Sequence, residues 1–189
     1  MSTSADNLIQ GPGHIFVAPY GTALPAAADI SGLLAGTVSG WTSVGETTAG
    51  VDLVDTPTWV KATSQQQART IDAAISAIST TIKTTLREVD VTRLEDLVRG
   101  TADASASTFT TVTPSGIGPA PKFSLAMVGA WPAGEKLLLV AERVIYNAAQ
   151  TLSFATDKYS EVAVEFEILT PSAAGPVGGY EIFVTKPSA

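Results

Sequence analysis

The stretch from Ile75 to Gly100, ISAISTTIKTTLREVDVTRLEDLVRG, changes its hydrophobic period halfway along, and this limits what the rest of the chain can be. Its second half reads as a short α-helix around 90–99. Asp90 and Thr92 suit N-cap positions, Glu95 and Asp96 fall in the early turns favoured by the positive end of the macrodipole, and Arg99 with Gly100 closes the last turn. Val91, Leu94, Leu97 and Val98 make one apolar stripe, and a helix of roughly ten residues needs a surface to dock on.

The first half admits two periods. Ile71, Ile75, Ile78, Ile82, Leu86 and Val89 recur at steps of four and three, as on an amphipathic helix. Ile78, Thr80, Ile82, Thr84 and Leu86 also make one face of a strand, with Ser79, Thr81, Lys83, Thr85 and Arg87 on the other. Four threonines among isoleucines suit a pleated surface better than a helix, so a strand is expected, with residues 68–79 the ambiguous part.

The other segments are those of a mainly β protein. His14–Pro19, Trp41–Val44, Thr108–Thr113, Lys122–Trp131, Lys136–Asn147, Tyr159–Leu169 and Tyr180–Val184 read as strands between Gly- and Pro-rich turns. Lys136–Asn147 is apolar on both faces, with Leu138, Val140, Val144 and Tyr146 expected on one and Leu137, Leu139 and Ile145 on the other. Tyr159–Leu169 alternates cleanly, with Val162, Val164, Phe166 and Ile168 turned inward and Glu161, Glu165 and Glu167 outward. Between the strands lie an N-terminal arm (1–12) and two long segments, 20–40 and 51–70. The first has a helical fragment at Asp29–Leu34, and in the second Pro57 bars a central strand position. One domain over 1–189 is expected.

Charge and composition remove several classes of function. A net charge of −7 and a pI near 4.6 oppose phosphate-backbone binding. The chain has no cysteine and one histidine, His14, so disulfides, thiolate sites and a His–His metal pair are out. Neither GxxxxGK[ST] nor GxGxxG occurs, and Gly36-Thr37-Val38-Ser39-Gly40 misses the GxSxG spacing by one. No acid, base and nucleophile come together, so no enzyme activity and no cofactor are expected. The first ten residues lack the basic and apolar parts of a signal peptide and no apolar run reaches membrane-spanning length; a soluble protein made in the cytoplasm, with no membrane partner, is expected. Only 15% of residues are charged against 45% hydrophobic, a surface suited to burial in an assembly. Trp59 and Val60, with Gln65 and Gln66, are the candidates for contact with a neighbouring subunit, a local core contact being the alternative for Trp59; Trp41 and Trp131 read as core or interface fillers.

GPGHIFVAPYGTALP, GWTSVGETTAGV, the segment leading through QQQARTI into the Ile75–Gly100 stretch, and YSEVAVEFEIL follow one another in an order that resembles the major tail tube proteins of long-tailed, siphovirus-type bacteriophages, particularly those infecting actinobacteria. The resemblance implies a β-sandwich or barrel subunit with one flanking helix and long assembly loops. It also implies six-membered rings stacked into a hollow tube through which double-stranded DNA leaves the capsid. Homo-oligomeric rings, a tape measure protein, a tail terminator and distal tail or baseplate proteins are the partners it implies, and the virion tail is the location. An acidic bore would keep DNA from sticking, and either the face of Glu161, Glu165 and Glu167 or that of Ser79, Thr81, Lys83 and Thr85 is expected to line it. The competing readings are a monomeric β-sandwich binding module and another tail ring component, a terminator or distal-tail ring.

Overall fold

The computed structural model describes residues 13–45, 47, 50–64, 69–86, 100–103, 110–114, 118–130, 134–147, 152–153, 161–172 and 178–185. The helix expected around 90–99, the arm 1–12, Trp131, Gln65 and Gln66 lie outside these.

At the centre are β7 (Phe123–Ala130) and β8 (Lys136–Tyr146), antiparallel, and Gly134, just before β8, takes φ 78°, a conformation open to glycine. Their alternating apolar residues can be buried only if both faces are covered, and they are. The other strands are β1 (His14–Pro19), β2 (Thr42–Ser43), β3 (Asp52–Ser64), β4 (Arg69–Leu86), β9 (Leu152–Ser153), β10 (Glu161–Ile168) and β11 (Tyr180–Val184). They extend one antiparallel sheet in the order β2-β1-β7-β8-β10-β4-β3, with β11 also on β8 and β9 also on β10. A separate hairpin pairs β5 (Gly100–Asp103) with β6 (Thr111–Pro114).

β8 changes partners halfway. Its residues 137–141 pair with β11 and 144–146 with β10, while β7 runs along the opposite edge. At the changeover the register moves from Phe123↔Val144 to Leu125↔Ala141, a bulge at Glu142 and Arg143 opposite the fully buried Ser124, whose hydroxyl donates to the Glu142 carbonyl at 2.9 Å. The bulge overturns the expected grouping of Leu138 and Val140 with Val144 and Tyr146. An inserted residue reverses the alternation, so Leu138 and Val140 join one core cluster while Val144 and Tyr146 join the other, with Leu139 and Ala141.

The larger cluster draws Ile15 and Val17 from β1, Leu125 from β7, Phe166 from β10, and Ile82 and Leu86 from β4. In a flat sheet β1 and β4, four places apart, would be separated by roughly 19 Å. Instead Thr47 forms a bridge to Leu86 while its hydroxyl donates to the Gly13 carbonyl at 3.3 Å, and the Thr84 hydroxyl donates to the Gly50 carbonyl at 3.4 Å. The sheet is rolled, with this cluster inside.

Part of the outer face has its own cover. Residues 20–40, expected as a long assembly loop, fold onto β1, β7 and the first half of β8. The segment contains α1 (Ile30–Leu34), close to the helical fragment expected there. Ile30, Leu33 and Trp41 pack on Phe16, Ala126, Val128 and Leu138, and the Trp41 indole donates to the Ala23 carbonyl at 3.2 Å.

Residues 51–70, expected as a long extended arm, are largely strand: β3 takes Asp52–Ser64, and β4 begins at Arg69, which makes the ambiguous 69–79 strand and not helix. Pro57 sits on β3, the edge strand of the sheet, in keeping with the exclusion of proline from central strands.

Candidate functional site

β3, β4 and β10 bring together what the sequence left as alternatives. β10 pairs with β4 through Glu165↔Lys83 and Glu167↔Thr81, and β3 pairs with β4 through Asp52↔Lys83, Val54↔Thr81 and Thr56↔Ser79. Directly opposed residues in an antiparallel pair share a face, so Glu165, Glu167, Ser79, Thr81, Lys83 and Thr85 belong to one surface. The inner face of the same strands carries Val162, Val164, Phe166, Ile82 and Leu86, all buried. Glu161 opens β10 opposite Ser153.

The outer surface is polar and acidic. Over 52–56, 79–85 and 163–167 it presents Asp52, Glu165 and Glu167 against one cation, Lys83, among hydroxyl groups. Lys83 Nζ lies 3.1 Å from Glu165 Oε2, with the side chains 50% and 25% exposed. Such a pair adds at most about 1 kcal/mol to stability. Its importance lies in the charge the surface shows.

Beyond Thr80 the β3–β4 hairpin leaves the body, because Ile168↔Thr80 is the last pair between β10 and β4. The Leu169 N–H then turns to the Arg143 carbonyl, and Glu142 accepts from the Ser172 amide at 3.0 Å and the Ser172 hydroxyl at 2.6 Å. The ten residues of β4 from 69 to 78 extend about 33 Å at strand rise. Residues 54–61 and 73–79 are exposed. Among them Trp59 is 51%, Val60 60%, Ile75 49% and Ile78 61% exposed. Register shifts at Thr58/Trp59 and Ala62/Thr63 leave Ser76 and Ile71 without opposed partners, and the Ser76 hydroxyl donates to the Thr58 carbonyl at 3.1 Å. Pairing of Pro57 with Ile78 and of Trp59 with Ile75 carries the core-facing side of the sheet out onto the arm, where none of the described residues covers it.

At the base of the arm, a cleft of about 580 Å³ opens where β4 parts from β10. Asp55 accepts hydrogen bonds there from the buried Thr80 hydroxyl and from Tyr180 Oη at 2.8 Å. That bond, with partial burial and the Asp55 charge, raises the Tyr180 pKa above the ordinary tyrosine value.

No cluster of three or more metal-ligating side chains exists among the described residues, and His14 is exposed at the start of β1. No described helix is long and apolar enough to cross a membrane. Sequence reasoning missed Asp52, Asp55 and Tyr180, whose partners lie in segments distant along the chain and are supplied only by the fold. The family model described as phage tail tube protein matches residues 1–177. No curated protein matches the chain.

Proposed function

Because this chain belongs to the phage tail tube protein family, structural proteins of the virion tail and not enzymes, we propose that its subunits close into six-membered rings that stack into the tube of a siphovirus-type tail, and that double-stranded DNA passes along the bore during ejection. An actinobacterial host, a tape measure protein that sets length, and terminator and distal-tail or baseplate proteins at the two ends belong to the same reading.

The observation that carries it is the outer face of β3, β4 and β10, acidic over the body and continuous with an exposed arm. The acidic part suits a wall past which a polyanion slides, since each cation free to meet phosphate adds salt-dependent affinity. The arm suits contact with neighbouring subunits. Ring closure needs one heterologous interface and stacking a second, open-ended one. Trp59 and Val60 offer large apolar side chains for such a contact. Gln65 and Gln66 are assigned to the same contact because they join the two arm strands in sequence.

Negative-stain electron microscopy of the purified protein from dilute to concentrated solution tests this. Tubes of uniform diameter with a stain-filled centre are expected. Isolated rings would assign the chain to a terminator or distal-tail ring. Compact monomers at every concentration, unchanged by a tail initiator, would assign it to a monomeric β-sandwich binding module.

A further inference from the structure

Lys83 is the one cation on the described outer face over 52–56, 79–85 and 163–167, and it has a carboxylate on either side. It occupies the middle strand of three, with Asp52 directly opposite on β3 and Glu165 directly opposite on β10. Its ammonium group lies 3.1 Å from Glu165. Asp52, Lys83, Thr85 and Glu165 line a hollow of about 240 Å³. The nearest cation on β8, Arg143, is already engaged: its guanidinium donates to the Thr170 carbonyl and lies 5.9 Å from the centre of the Tyr20 ring.

We propose that Asp52 and Glu165 form a cage that withholds the Lys83 ammonium from DNA phosphate. This rests on the reading that the face lines the bore. A tube repeats every surface residue in each subunit, so an uncaged lysine here would become a regular array of phosphate contacts along the DNA path. A caged one must first give up its carboxylate partner. The arrangement works in both directions, because without Lys83 the carboxylates of Asp52 and Glu165, on the strands either side of β4, would share this face with no cation between them to offset their repulsion. Lys83 thus lets the wall stay acidic, and the acids keep Lys83 from gripping what passes.

The test is ejection kinetics from phage particles carrying Glu165→Gln, Asp52→Asn with Glu165→Gln, and that double variant with Lys83→Met added. Ejection is expected to slow by roughly twofold or more at low salt in the first, further in the second and less at high salt, and to recover in the third. Wild-type rates in the first two, or failure of Lys83→Met to restore speed, would overturn the cage. The bore reading is tested separately with Ser79→Cys, the sole thiol in a chain without cysteine, and a polymer-linked maleimide too wide for the bore. Protection in intact tails, with labelling only after dissociation, supports the bore assignment. Labelling of intact tails removes the bore reading, and the cage's role with it, whatever the ejection rates are.

Discussion

Gly13 and Val51 meet where the rolled sheet closes: a Cβ on residue 13 would stand 2.6 Å from Val51 Cγ2 and 3.2 Å from its Cβ. Valine is stiff about χ1, so it cannot swing clear as a longer side chain would. Gly13→Ala is expected to destabilise the unassembled subunit by about 1–3 kcal/mol, the range for overpacking a tight site. Val51→Ala in the same chain should recover part of the loss. Urea unfolding of the two single variants and the double reads the coupling directly.

Phe166 is fully buried and packs against Tyr146 with ring centroids 4.7 Å apart; Tyr146 in turn meets Phe123 edge-on at 5.2 Å. Three strands meet in this trio. Phe166→Ala is expected to cost about 3–5 kcal/mol, a large share of the stability of an ordinary domain, and to show as a much lower urea midpoint.

Tyr180 donates to Asp55 and has a raised pKa, so the folded state holds the phenolic proton more tightly than the unfolded state does. That stabilisation is fully present below the unfolded tyrosine value of about 10 and is lost as pH rises through the higher folded value. Tyr180→Phe should cost about 0.5–1.5 kcal/mol at neutral pH. Its unfolding midpoint should fall less than that of the wild type between neutral pH and the alkaline side of tyrosine titration.

Trp59 is half exposed on the arm, so Trp59→Ala should change subunit stability by less than about 0.5 kcal/mol. Assembly is expected to be lost or shifted to much higher concentration. Light scattering alongside unfolding of the unassembled protein separates the two effects; equal loss of both would mean that Trp59 serves the fold.

Glu167 lies opposite Thr81 and Ile145 on the acidic face. Glu167→Lys should slow DNA ejection, more at low salt than at high, because it adds a cation with no cross-strand carboxylate. An unchanged rate at low salt would take Glu167 off the bore.

The sequence announces local features of this fold and is silent about distant ones. Tyr180–Val184 is a strand with the expected bounds, and β7, β8 and β10 fall within a residue or two of theirs, because alternation bounded by Gly and Pro is written in consecutive residues. The helical look of Ile71 to Leu86 has a physical origin. The three-residue step from Ile75 to Ile78 spans the bulge at Ser76, which keeps both isoleucines on one face of a strand. Closure through Thr47, Leu86, Gly13 and Val51 joins positions far apart in the chain and has no local signal. For the candidate site, the alternation of Ser79 to Thr85 and of Glu165 to Glu167 was legible. Their union on one surface was not, because it depends on the register between β4 and β10.

The arm has one more consequence, for how such chains diversify. Its residues from 73 to 79 and the facing 54 to 61 are exposed, so their replacement is barely opposed by the demands of folding. Folding itself leaves these positions open to replacement, whereas Phe166 and Leu139 are held by the core and Gly13 by its contact with Val51. On the proposal that the arm is the subunit contact, exchanging this hairpin between two tail tube proteins is expected to change which subunits fit together while leaving each protein able to reach its own native state.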